Sequence, residues 1–215
     1  GVDTRFITTQ SEPTGHAIIA VDSAGENNIL LYPGANHALT EPMIGVALSK
    51  AQAGDWLLLQ NETNNQHYAA VTAKTLGLKV AYAAAPFDAS AVEAVLDRLD
   101  LLVLNEVEAT QLQRTTGLAA DGLPVRDVIV TLGAQGCRWH GQGGSQDFAA
   151  LPVEPVDTTG AGDTFTGYVL AGLERDMPMA QAISFGIKAA GIMVTRLGTA
   201  DVIPDLKDLQ DAQLI

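Results

Sequence analysis

Cysteine occurs only once, at Cys137, so no disulfide can form within the chain, which fits a reducing compartment such as the cytoplasm. Cationic side chains are also scarce. Twelve lysines and arginines stand against 25 acids, a formal net charge of −13 that argues against a nucleic-acid partner. No run of about 18 apolar residues occurs, so no segment is suited to cross a membrane as a helix. The N-terminus, Gly1-Val2-Asp3-Thr4-Arg5, has neither the basic nor the apolar region of a secretory signal. It lacks an initiator methionine and starts within what reads as a strand, so the sequence reads as a fragment or a processed form. A Gly-x-x-x-x-Gly-Lys-Ser/Thr string is absent, which argues against a P-loop enzyme. What remains, 215 residues with 47% hydrophobic and 17% charged, is enough for one α/β domain with a sizeable core.

The most informative stretch is Val156-Asp157-Thr158-Thr159-Gly160-Ala161-Gly162-Asp163-Thr164-Phe165. Small residues lead into the apolar period of Phe165, Tyr168, Val169, Leu170 and Leu173, which predicts a tight loop opening into a helix over 162–174. A helix N-terminus offers unpaired N–H groups and the positive end of its dipole. At Gly160 and Gly162 no side chain keeps an anion away from the backbone. Asp163 places a carboxylate where a phosphate would sit. The pairing makes sense if the carboxylate takes a proton from a hydroxyl while the N–H groups hold the phosphoryl group under attack, that is, phosphoryl transfer to an alcohol. An ordinary first-turn aspartate after a glycine-rich loop is the simpler alternative.

The rest of the chain divides in two. Residues 1–36 read as an antiparallel meander: strands at Thr4–Thr9, His16–Val21 and Ile29–Tyr32, a turn at Asp22-Ser23-Ala24-Gly25-Glu26-Asn27, and a break at Pro33-Gly34-Ala35-Asn36. Residues 37–215 alternate helices with short apolar strands. Thr40-Glu41-Pro42 starts a helix. Strands are expected at 56–59, 79–83, 101–104 and 128–132, and helices at 64–76, 89–99 and 106–114. Short continuous apolar strands between helices imply a mostly parallel, doubly wound sheet covered on both faces. Ligands collect at the carboxyl ends of such strands, here Gln60-Asn61-Glu62, Ala85-Pro86, Asn105 and Thr131-Leu132-Gly133. A hairpin should follow, with Cys137–His140 and Asp147–Ala150 flanking Gly141–Ser145. A helix from Pro178 to about Thr195 carries small residues that suit close packing or a flat ligand, and a short polar tail closes the chain. His16, Trp139, His140 and Cys137 read as structural.

Asp157-Thr158-Thr159-Gly160-Ala161-Gly162-Asp163-Thr164-Phe165 resembles the C-terminal signature of the ribokinase (PfkB) family of sugar and nucleoside kinases. Further segments extend the resemblance. Asn105-Glu106-Val107-Glu108 is similar to the family's Asn-x-x-Glu motif, and Thr131-Leu132-Gly133-Ala134-Gln135-Gly136 to its nucleotide loop. Residues 15–36 look closest to the ribokinases, and Val194-Thr195-Arg196-Leu197-Gly198 resembles the C-terminal segment. The resemblance implies a ribokinase-like α/β fold with a small antiparallel β lid. It implies an ATP-dependent sugar kinase acting on a primary hydroxyl, with Mg²⁺ and K⁺, as a cytoplasmic homodimer. Asp163 would be the base on the sugar hydroxyl, and the N–H groups of Gly160, Ala161 and Gly162 the anion hole. Asn105, Thr131, Leu132, Gly133, Ala134, Gly136, Gly162 and Ile187 would line the ATP site. Glu62 matches a sugar-side position, and Glu108 would act on Mg²⁺ through water. Asp157, Thr159, Met193, Arg196 and Gly198 match ligands of the monovalent cation.

Departures from the family pattern set the alternatives. A full family member is about half as long again, and the part without a counterpart here carries the first strands, much of the lid and most sugar-binding residues. Ile187 stands where Asn or His often lies near adenine. Val202 stands where a small polar residue can complete the cation site. A non-catalytic nucleotide-binding remnant, and a kinase for a nucleoside, fructose or a sugar acid, are the other readings.

Overall fold

The computed structural model describes residues 2–21 and 27–212; residues 22–26 of the expected turn lie outside them. Two antiparallel strands, β1 (His16–Val21) and β2 (Asn27–Tyr32), form a ribbon of their own. The third strand expected at Thr4–Thr9 does not form. The chain turns there instead, with Ile7 N–H donating to Thr4 O at 2.9 Å. Thr4, Thr8 and Thr9 have no neighbouring strand to pack on among the described residues, and β-propensity has little force without one.

Helix α1 (Glu41–Leu48) starts at Thr40 as expected, with its hydroxyl accepting from Met43 N–H and Pro42 in the first turn. Then come β3 (Trp56–Leu59), α2 (Gln66–Thr75), β4 (Lys79–Ala83), α3 (Ala89–Glu93), β5 (Leu101–Asn105), α4 (Glu106–Thr116) and β6 (Asp127–Thr131). The helix expected over 89–99 is in two pieces, since a 3₁₀ turn at Leu96–Arg98 follows α3. Val92, Val95, Leu96 and Leu99 are nevertheless all buried, so the apolar period survived where the continuous helix did not. The hairpin is β7 (Cys137–Gly141) and β8 (Gly144–Phe148), with Gln142 and Gly143 at its turn. Two long helices, α5 (Ala161–Leu173) and α6 (Met179–Met193), pack on each other. The tail is not merely polar. Leu206–Asp211 is a helix, α7, opened by a reciprocal cap between Asp205 and Asp208, and Leu209 is fully buried near Phe185 and Ala189.

The six-stranded sheet runs β3-β4-β5-β6-β7-β8. The first four strands are parallel and the hairpin is antiparallel to them. Strand side chains alternate between the two faces. Val80, Tyr82, Leu102, Leu104, Val128 and Val130 pack with α2, α3 and α4. Ala81, Leu101, Val103 and Ile129 face α5 and α6 through Phe165, Val169, Ala182 and Ile183. Strands β4, β5 and β6 are thus apolar on both covered faces, which is why each reads as a continuous run; the edge strand β3 leaves Leu58 exposed. Cys137 sits in the α5–α6 layer, and burial pushes its thiol up to about 12, in keeping with a structural residue. Trp139 donates its Nε1–H to Asp127 at 2.9 Å, and His140 Nδ1 lies 2.7 Å from Ser145 Oγ.

Candidate active site

The parallel strands β3 to β6 end on one side of the sheet, where Glu62, Asn105 and the Thr131–Gly136 turn lie and Asp163 is reached through Gln60. At the end of β3, Asn61 N–H donates to Ala85 O at 3.0 Å, and Asn61 Nδ2 donates to Pro86 O at 2.9 Å. The Tyr82 hydroxyl donates to Asn61 Oδ1. Burial, then the charges of Asp88 and Glu62, push the Tyr82 phenol up to about 12, so it stays a donor. Gln66, at the start of α2, reaches back to the carbonyls of Gln60 and Thr63. The Gln60–Glu62 segment is therefore held from both β4 and α2.

Asp163 comes to this segment from 103 positions away. Gln60 Nε2 donates to Asp163 Oδ1 at 3.0 Å. Gly160 caps α5 in the left-handed region, with φ +79°, and a Cβ there would lie 2.9 Å from Met193 Cε. Ala161 N–H donates to Thr158 O at 3.2 Å, and Thr164 N–H to Gly160 O at 2.9 Å. Among the described residues, the N–H groups of Gly160, Gly162 and Asp163 have no protein acceptor. An anion approaching the helix end would find these groups free, with the Asp163 carboxylate beside them.

Glu62 shares this corner. Partial desolvation of its carboxyl, and then the charge of Asp163, hold it above the usual glutamate range. For an acid the sign is unfavourable. The folded chain keeps the proton that the unfolded chain has released, so stability falls as pH rises through the interval between the two values. The deficit is full at pH 7 and vanishes once both forms are protonated. Glu62→Gln should therefore melt slightly higher than the parent at pH 7, with the difference closing in acid where both forms of Glu62 are protonated, as followed by thermal unfolding across pH.

Two strands further in, Asn105 pairs with Thr131 across β5 and β6. Asn105 also caps α4: its Oδ1 accepts from Glu108 N–H at 2.8 Å, while Glu108 Oε2 accepts from Asn105 N–H at 2.7 Å. This is a capping box, so part of the Asn-x-x-Glu pattern is explained by helix initiation. Burial raises the Glu108 carboxyl above its usual range, and the bond from Asn105 offsets part of that. Thr131 is followed by a tight turn, with Leu132 N–H donating to Gly136 O at 2.8 Å. Leu132 packs on the core, whereas Gly133 and Ala134 are exposed. Gly136 answers a different need. A Cβ there would stand 1.9 Å from Phe148 O, so this glycine lets the turn lie on the end of β8.

Asp157 accepts from Thr159 N–H at 2.9 Å and Gly198 N–H at 3.4 Å, and the bonds, Thr159 first, hold its carboxyl below the usual aspartate range. Val156 and Asp157 N–H both donate to Val194 O, so the loop before α5 is tied to the end of α6. Met193 is buried, and its carbonyl accepts from Arg196 N–H at 2.9 Å. The Arg196 side chain turns away to Val202 O and Asp208. Ile187 packs half-buried in the α5–α6 layer. Two surface clefts, between β8 and α6 and between the free edge of β3 and α5, include none of these residues.

The structure thus joins Asp163 to Glu62 through one corner, Asn105 to Glu108 and Thr131 through another, and Asp157 to Thr159 and Gly198 behind the loop. Sequence reasoning placed Gln60 only at a strand end and missed it as the partner of Asp163. The alternation Trp56, Leu58, Gln60 was the available signal, since Trp56 lies in the α5–α6 layer.

Comparison with known proteins places the chain in a family. The profile described as pfkB family carbohydrate kinase matches residues 1–206. Ribokinase of Haemophilus influenzae is 36% identical over 95% of this chain and 71% of its own length. Ribokinase of Staphylococcus aureus is 31% identical over 97% of this chain and 73% of its own. Among solved structures, Thermotoga maritima ribokinase superposes with a TM-score of 0.81 at 33% identity, over 94% of this chain and 70% of that one. Arabidopsis thaliana ribokinase, complexed with ribose and ATP, superposes at 0.78 and 28% identity, over 94% and 69%. With the profile matching over 1–206 and relatives of this identity spanning nearly all of it, the chain belongs to the pfkB carbohydrate kinase family.

Proposed function

We propose that the chain is an ATP-dependent sugar kinase that transfers the γ-phosphoryl group to the primary hydroxyl of a pentose, ribose foremost. The observation that carries this is the end of α5, where the Asp163 carboxylate stands beside unpaired backbone N–H groups and is held by Gln60. The family relatives named as ribokinases support the acceptor. In the reaction, Asp163 accepts the hydroxyl proton as the oxygen attacks the γ-phosphorus. The bond to the β–γ bridging oxygen breaks and ADP leaves. The free N–H groups of Gly160 and Gly162 stabilise charge on the transferring phosphoryl oxygens, and the N–H of Ala161 joins them by releasing Thr158 O. Glu62 contacts the sugar. Asn105 and the Thr131–Gly136 turn, with Leu132, Gly133 and Ala134, hold the nucleotide, and Ile187 faces its base.

Among the described residues no three His, Cys, Asp or Glu side chains come together. Mg²⁺ is commonly bound by substrate phosphates with one or two carboxylates, and Glu108 would be the carboxylate on that side, acting through water. The loop before α5 suits a monovalent cation such as K⁺, with oxygens of Asp157, Thr159, Met193, Arg196 and Gly198 as ligands. Its positive charge would support the anion hole. Turnover should rise several-fold when K⁺ replaces a large organic cation, and Asp157→Asn should lose that response, read from initial rates. The ribbon of β1 and β2 exposes Ile18, Leu30, Leu31 and Tyr32, which suits a homodimer through this lid; sedimentation as a monomer contradicts it. The lone, buried cysteine suits the cytoplasm, where ATP is made available.

The function is tested by ADP release from Mg-ATP and K⁺ across a panel of pentoses, hexoses and nucleosides. Release that depends on ribose supports the proposal. Release that depends only on a nucleoside or a hexose replaces the acceptor, and ATP binding without any release favours a non-catalytic nucleotide binder.

A further inference from the structure

Gln60 has no assigned role, yet it makes the one side-chain hydrogen bond to Asp163 found among the described residues, Nε2 to Oδ1 at 3.0 Å. Its place follows from the strand. Leu57 and Leu59 pack into the α2–α4 layer and Trp56 into the α5–α6 layer, so the alternation carries Gln60 to the side of α5. Its backbone is fixed by its neighbours. Gln66 Nε2 reaches Gln60 O, and Asn61 is clamped by Ala85, Pro86 and Tyr82. Asp163, by contrast, is exposed on the first turn of a helix, where its carboxyl would otherwise rotate freely. Asp163 Oδ2 has no donor among the described residues.

We propose that Gln60 is the positioning residue for Asp163: its amide holds Oδ1 and leaves Oδ2 facing the acceptor hydroxyl. This rests on the kinase reading above. The geometry has a chemical reason. An amide donates to a carboxylate without competing for the proton that the base must receive, whereas a lysine or arginine here would weaken the base. A carboxylate displaced by even 1 Å loses much of its rate advantage, on the order of 10²-fold.

Three variants test it: Gln60→Met, equal in length without a donor; Asp163→Asn; and the two combined. Gln60→Met should lower kcat about 10–100-fold, with KM for ATP and for ribose within about threefold, and should melt close to the parent. In the Asp163→Asn background the same change should cost no more than about twofold, because Gln60 acts only through the carboxylate. A purely structural Gln60 would give losses that multiply, and that result overturns the proposal. A second readout needs no turnover. The ¹⁵N–¹H signal of the Gln60 side-chain amide should move on Asp163→Asn, where a neutral acceptor replaces the charged oxygen of its hydrogen bond. An amide indifferent to that substitution also overturns the proposal. An amide that tracks Asp163 in a chain without sugar-dependent turnover supports the contact and removes the kinase reading instead.

Discussion

Asp163→Asn should lower kcat by roughly 10²–10⁴-fold, the usual worth of a positioned general base, while the affinity for ATP stays within about threefold. The substitution is nearly isosteric, and the amide oxygen can still accept from Gln60, so the end of α5 should keep its shape. What is lost is the capacity to take up the proton of the acceptor hydroxyl at neutral pH. Removing a negative charge from the approach to the anion hole should, if anything, tighten nucleotide binding. Steady-state rates with saturating sugar, set beside calorimetric titration with an ATP analogue, separate the two effects. Near-normal turnover would remove Asp163 from the base role and leave it as an ordinary first-turn aspartate.

Gly136→Ala should have the largest effect on stability. Its backbone lies at φ +97°, outside the regions open to residues with a Cβ, at a cost of about 1–3 kcal/mol. The added methyl would also meet backbone: Phe148 O at 1.9 Å, Ala150 N at 2.7 Å and Ala149 C at 2.8 Å. Backbone cannot rotate away as a side chain can, so either the turn after β6 or the end of β8 must shift. A combined loss of about 3 kcal/mol or more corresponds to a melting temperature lower by about 10 °C in a chain of this length. Gly133→Ala is the matched control. Its φ is +57°, but nothing stands within 4 Å of the added carbon, so only about 1 kcal/mol of left-handed strain is expected. Equal melting temperatures for the two variants would contradict the contact with β8.

What was legible in the sequence follows from where information is local. Strands β4 to β6 stood out because a parallel strand covered on both faces must be apolar throughout, and turn residues bracket each run; β3 reads the same way although Leu58 on this edge strand is exposed. Asp163 stood out because a glycine-capped helix start leaves a distinctive string. Asn105 and Glu108 were equally visible, although their reciprocal cap shows that part of that visibility is helix initiation. Misreadings arose where the deciding partner is distant or missing. Thr4–Thr9 has the composition of a strand but nothing to pair with. Residues 206–211 are too short and too polar for a hydrophobic period, and only Leu209 enters the core, although the Asp205 and Asp208 spacing was a usable cap signal. For Gln60 the alternation from Trp56 gives only the face of the strand; its partner is 103 positions away, and which layer covers that face depends on where α5 packs.

The most direct measurement of the central claim is the identity of the product. The 215-residue chain, incubated with Mg-ATP, K⁺ and ribose, should yield ADP and, mole for mole, a phosphomonoester on the primary hydroxyl, as read by ³¹P NMR and mass. ADP accompanied only by inorganic phosphate, or a phosphate on another ribose oxygen, would contradict it.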